Sequence, residues 1–352
     1  MAGRYAPQRA QTSLAHQPAD RERGPYPLTV AFFDIPAADL PSYRPELPIP
    51  EDLDEFWAQT LSEVREHPLD LRLERVEVGL DLVEAYDVEF SGFGGHRIRG
   101  WYTRPVGDAV VPAVVEYVGY GGGRGLPHER LAWAVSGRAH LVMDTRGQGS
   151  KWGVGGATPD PAGSGPAAPG VMTRGIESPH DHYYRRVFSD GVRAVEAVRA
   201  VDGVDASRVS VTGGSQGGGI TLAVAGLVPD LTAVMPDVPF LCQIQRAVTI
   251  TDSYPYREVA DYLSVHRRAE DQAMRTFAYL DAAHLGTRAT APALFSVALM
   301  DSVCPPSTVY AAFNHYGHPQ GSEIDVYRYN GHEGGAAESW LRQQAFLRGL
   351  GS

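Results

Sequence analysis

The chain has 352 residues, 43% of them hydrophobic, and a formal net charge of −11 at pH 7. That length can bury a large core, and the acid excess without a long basic run excludes a phosphate-neutralising nucleic-acid binder. No window of 18 or more apolar residues occurs, so no helical membrane span is expected. The two cysteines, Cys242 and Cys304, form no CxxC motif for zinc or redox chemistry and fit reduced thiols in a cytoplasmic protein.

Residues 1–26 are polar, rich in Arg, Gln and Pro, and lack the apolar stretch of a secretory signal. Residues 1–30 are therefore expected to be a disordered extension, with residues 31–352 forming one domain. Leu53, Phe56, Trp57, Leu61 and Val64 have helical spacing, with acids in the first turn where the helix dipole favours them. Residues 83–90 and 98–103 partly alternate around a Gly-rich turn and predict an antiparallel start to a sheet. Short apolar runs then follow at residues 113–118, 141–143, 209–212, 233–235, 293–299 and 324–329. Helical patterns lie between them, at 187–199 and 216–227. Strands alternating with helices predict an α/β fold with a mostly parallel central sheet. Residues 153–175 are dense in Gly and Pro and predict a long surface insertion.

The strongest chemical signal is Gly213-Gly214-Ser215-Gln216-Gly217, between an apolar run and a helical stretch. G-x-S-x-G in that context is a nucleophile elbow: a tight strained turn presents the serine, and small flanking residues let neighbouring chains approach. A serine hydroxyl needs a base, and in this arrangement the order along the chain is Ser, acid, His. His332, in the loop after residues 324–329, is the predicted base. His315 and His318 fit a helix end and turn, while His128, His180 and His182 come in the wrong order. Asp301 follows a strand-like run and is the predicted acid, with Asp237, one strand earlier, as runner-up. The oxyanion hole is expected from the backbone N–H of Gln216 and of Tyr120, in the Gly-rich turn after residues 113–118. That turn lacks the endings of a phosphate-binding loop. His180-Asp181-His182 has no third ligand in view, so neither metal nor cofactor is expected.

Three motifs together, Arg146-Gly147-Gln148-Gly149, Gly213 to Gly217, and His332-Glu333, resemble the acetyl xylan esterase and cephalosporin-C deacetylase family, carbohydrate esterase family 7. The likeness spans about residues 31–350 and includes Ala31-Phe32-Phe33-Asp34, residues 142–150 and residues 301–308; only the start of the chain departs from it. The resemblance implies an α/β-hydrolase with a Ser215–Asp301–His332 triad and oxyanion donors at Tyr120 and Gln216. It makes Arg146-Gly147-Gln148 a support near the site. It implies a homo-hexamer whose contacts come from a β-insertion, here about residues 151–184. It also implies an intracellular enzyme acting on small acetylated carbohydrates or an antibiotic ester, cephalosporin C. The base in such a relay must be neutral, so activity should fall toward acid pH.

Overall fold

The computed structural model describes residues 33–163, 165 and 167–351. The expected disordered extension, residues 1–30, lies outside the described residues.

A nine-stranded sheet runs through the described chain in the order β1-β2-β3-β5-β4-β6-β7-β8-β9. The strands are β1 (Arg72–Val76), β2 (Val83–Ser91), β3 (Arg97–Pro105), β4 (Val111–Tyr117), β5 (Ala139–Met143), β6 (Val204–Gly214), β7 (Ala233–Asp237), β8 (Leu294–Ala298) and β9 (Glu323–Tyr327). β1, β2 and β3 pair antiparallel, and β3 pairs antiparallel with β5. From β5 across to β9 every pairing is parallel. The expected α/β-hydrolase sheet with an antiparallel start is therefore present.

The helices are α1 (Leu53–Arg65), α2 (Ala132–Val135), α3 (Tyr183–Arg199), α4 (Gln216–Leu227), α5 (Ile244–Ile250), α6 (Tyr256–Val265), α7 (Glu270–Ala278), α8 (Ala282–Gly286), α9 (Pro306–Asn314) and α10 (Ala337–Gly349). Period-2 alternation in β4 divides them between two faces of the sheet. Ala113, Val115 and Tyr117 join the larger core, which includes Val187 and Val195 of α3 and Ile220 and Leu222 of α4. Val114 faces the smaller core with Trp133, Met235 and Leu347, from α2, β7 and α10. α1 buries the five apolar residues its spacing predicted, and its Trp57 indole donates to the Tyr279 carbonyl at 3.0 Å.

The segment from β5 to α3 has no helix or strand among its described residues. It is an insertion of loop rather than of β-structure. Asp144, fully buried, accepts from the Ala157 and Thr158 N–H groups at 2.6 and 2.8 Å and holds its first turn. Asp160 receives Arg186 at 2.9 Å.

The register sets the site. Tyr117 lies opposite Gly213, Gly214 opposite Asp237, and Asp237 opposite Ser296. The carboxyl ends of β4, β6, β7 and β8 thus open on one edge, where parallel sheets place their chemistry.

Candidate active site

Ser215 occupies the tight turn between β6 and α4 with φ 57° and ψ −119°, a conformation L-residues adopt at a cost. Its surroundings fix that shape: its N–H donates to the Asp237 carbonyl at 2.9 Å, and its own carbonyl accepts from Phe240 and Gly219. The outer glycines of the motif are sterically required. A Cβ on Gly217 would lie 2.1 Å from the Tyr117 carbonyl oxygen, and one on Gly213 would lie 2.5 Å from the Gly217 backbone.

His332 Nε2 lies 2.9 Å from Ser215 Oγ, and His332 Nδ1 lies 2.9 Å from Asp301 Oδ2. The other Asp301 oxygen accepts the N–H groups of Val303 and Cys304 at 2.8 and 2.9 Å, which locks the buried carboxylate in place. With Nδ1 donating to a carboxylate, Nε2 is left as the acceptor for the serine proton.

Gln216 directly follows the serine, and Tyr120 stands in the loop after β4, whose last residue Tyr117 lies opposite Gly213. Gln216 opens α4, so its backbone N–H has no partner within the helix and is available to an anion. Tyr120 is held on three sides. Its phenol donates to Glu258 Oε1 at 2.6 Å and accepts the Val171 N–H at 2.8 Å, and its carbonyl accepts the Trp152 indole at 2.7 Å. Gln148 ties the two loops together. Its Oε1 accepts the Gly121 N–H at 2.6 Å, and its Nε2 donates to Gln216 Oε1 at 2.8 Å.

Arg146, fully buried, makes a two-pronged contact with Asp190 at 2.6 and 2.8 Å and reaches Asp160 at 3.3 Å. Burial works against its charge, yet the two carboxylates raise its pKa above the ordinary value. The Arg-Gly-Gln motif therefore anchors the insertion to α3 through its arginine and joins the serine and tyrosine loops through its glutamine.

Asp237, the runner-up acid, is not a hydrogen-bond partner of His332 and receives the Gln343 amide at 2.7 Å. Burial pushes its carboxyl up to about 6 against the pull of hydrogen bonds from Ser296, Ser339 and Gln343. His182 caps α3 by accepting the Tyr184 N–H, and its other ring nitrogen meets the Met172 carbonyl at 2.9 Å. Burial lowers its pKa to about 3, and neither nitrogen is free for a metal. Asp301, Cys304 and His332 bring ligand-type atoms within 4.8 Å of one another, but two of them are engaged in the relay. Burial holds the Cys304 thiol well up, in its protonated form.

The model for the family described as acetyl xylan esterase (AXE1) matches residues 30–350. The chain belongs to that family. A solved structure of an acetyl xylan esterase from Paenibacillus sp. R4 is 38% identical and superposes with a TM-score of 0.83, covering 90% of this chain and 99% of that one. Acetyl xylan esterase 1 from Thermoanaerobacterium sp. JW/SL YS485 is 32% identical with a TM-score of 0.83, covering 91% and 100%. A curated relative, acetyl esterase Axe7A of Xylanibacter ruminicola, is 26% identical over 282 residues. That match takes in 77% of this chain and spans 61% of the relative's length.

A cavity of about 310 Å³ opens beside Ser215 and His332. Gly119, Trp152, Glu116, Arg130 and Asp237 line it. A larger cavity of about 370 Å³, between Tyr43 and Phe277, has no serine or cysteine among the described residues of its walls. Sequence reasoning did not find Glu258, whose contact with Tyr120 spans 138 positions, or the Glu116–Arg130 pair. Neither falls in a motif. No helix among the described residues is long and apolar enough to cross a membrane.

Proposed function

We propose that this chain is a serine carboxylesterase that removes O-acetyl groups from short acetylated xylo-oligosaccharides, with small antibiotic esters such as cephalosporin C as a second substrate type. The observation that carries the reading is the hydrogen-bonded line from Ser215 through His332 to Asp301, with both links at 2.9 Å. Ser215 Oγ attacks the acetyl carbonyl while His332 Nε2 takes its proton. Asp301 orients the imidazole and balances the imidazolium. The backbone N–H groups of Tyr120 and Gln216 receive the oxyanion. His332 then protonates the departing alcohol oxygen, and water repeats the sequence on the acetyl-enzyme. Family membership and the named activities of the relatives favour acetyl as the acyl group.

The molecule is proposed to assemble as a homo-hexamer through residues 151–184, where exposed Trp152 and Val154 give an apolar contact surface. A monomer in sedimentation would overturn that assembly. Cytoplasmic placement is supported by two free, buried thiols, Cys242 and Cys304.

The test is acetate release from acetylated xylo-oligosaccharide by the native protein and by Ser215→Ala. Release that vanishes in the variant supports both nucleophile and substrate. Cleavage of p-nitrophenyl acetate by the native form, with no release from the sugar ester, would keep the mechanism and remove the sugar.

A further inference from the structure

We propose that the cavity beside Ser215 and His332 receives the departing alcohol and selects a neutral, hydroxyl-rich alcohol over an anionic one. This rests on the esterase reading above, and it concerns the leaving-group side that the triad does not determine.

Glu116 lies on β4 on the same face as Val114, so its carboxylate enters the cavity at the sheet edge where Ser215 stands. One Glu116 oxygen pairs with the Arg130 guanidinium, and the other lies 3.0 Å from His140 Nε2. Arg130 is 30% exposed and lines the same cavity. A guanidinium carries five donors. Among the described residues Glu116 is the one acceptor in contact with that guanidinium, so further donors remain for a ligand. Across the cavity Asp237 accepts from Gln343 and from the Ser296 and Ser339 hydroxyls, and both serines also line the wall. Donors and acceptors thus alternate over a space of about 310 Å³, enough for a sugar ring or two. Vicinal hydroxyls, each both donor and acceptor, match such a wall.

The charge balance selects further. Among the described residues that line it, one cation, Arg130, faces three carboxylates: Glu116, Asp237 and Glu333. Backbone N–H groups of its own loop and the Asn330 amide hold Glu333 below the usual carboxylate range, so it is ionised near neutral pH. Arg130 is already matched by Glu116, leaving the site net negative. An alcohol that carries a carboxylate beside its acetoxymethyl group, as cephalosporins do, meets repulsion there, and a neutral xyloside does not.

The test measures kcat/KM at pH 8 on acetylated xylobiose and on a 3-acetoxymethyl cephalosporin, each normalised to its rate of alkaline hydrolysis. The native protein should favour the sugar ester by about tenfold or more, and raising NaCl from about 20 mM to about 0.5 M should narrow that preference. Glu116→Gln leaves Arg130 unmatched and should shift the ratio toward the anionic ester about tenfold, whereas Arg130→Gln should shift it the other way. Fluorophosphonate labelling of Ser215 reports that each variant is folded. A ratio that ignores salt and both substitutions overturns the subsite while leaving the sugar-esterase reading standing. Failure of the native protein on the sugar ester, with p-nitrophenyl acetate still cleaved, overturns the reading and the subsite with it. If one variant does not fold, the other variant and the salt series in native protein decide.

Discussion

Tyr120→Phe removes one oxygen atom and two buried hydrogen bonds. Glu258 Oε1 loses a donor at 2.6 Å and the Val171 N–H loses an acceptor at 2.8 Å. Glu258 is 3% exposed, and its second oxygen keeps the Met172 N–H at 3.0 Å. A charge-assisted bond contributes about 1.5–3 kcal/mol and a neutral one about 0.5–1.5, so the loss should be about 2–4 kcal/mol near neutral pH. For a chain of this size that lowers Tm by about 4–8 °C. The loss should depend on pH. Burial already raises the Glu258 carboxyl above its ordinary value, and the Tyr120 hydrogen bond opposes that rise. Without the phenol the folded-state pKa climbs further. A raised carboxyl contributes stability in its protonated form, and that contribution is lost as pH rises through the folded pKa. The Tm gap between native and variant should therefore widen from pH 5 to pH 8, as read by differential scanning calorimetry. A gap that stays constant or narrows would refute the reasoning. Activity provides a second reading: a loosened Tyr120 loop should lower kcat on p-nitrophenyl acetate by about tenfold or more with little change in KM, as loss of an oxyanion donor does.

Asp301→Asn should lower kcat by about 10⁴-fold, because the amide favours the wrong imidazole tautomer, and fluorophosphonate labelling of Ser215 should slow in parallel; rapid labelling would argue against Asp301 as the orienting acid. Gly214→Ala should fold normally, since its Cβ would meet nothing within 4 Å, whereas Gly217→Ala should give little soluble protein, its Cβ falling 2.1 Å from the Tyr117 carbonyl; equal Tm values for the two would contradict the steric account of the turn. Asp237→Asn should gain stability over the native protein as pH rises from 5 to 8, because the native carboxyl, near 6 when folded against about 3.9 unfolded, contributes stability that is lost through that window. Urea midpoints at both pH values measure this, and identical pH dependence in the two proteins would dismiss Asp237 as a buried titrating group.

The chain order of the site was legible because its chemistry is local. The nucleophile elbow is a five-residue steric requirement, and Asp301 and His332 each follow a strand, so turn and strand signals were enough to nominate all three residues. The helix at Leu53–Arg65 was equally plain, since a helix against a core must repeat its apolar positions every three to four residues. The tertiary structure decided what depends on distance in sequence. Two acids, Asp237 and Asp301, both end strands, and only the packed sheet brings Asp301 to His332 and gives Asp237 to Gln343. α5 and α8, of seven and five residues, are too short to show a helical repeat, and their helicity is stabilised by packing rather than by propensity. The insertion between β5 and α3 could be foreseen as irregular from its glycines and prolines. Its attachment to Tyr120 and Glu258 could not, because hydrogen bonds between segments 51 and 86 positions apart leave no periodicity to read. The same holds for Glu116 and Arg130, which occupy a strand and a loop and belong to no motif. A sequence specifies its local turns and repeats directly, whereas the partners of a buried charge are fixed only when the sheet closes around it.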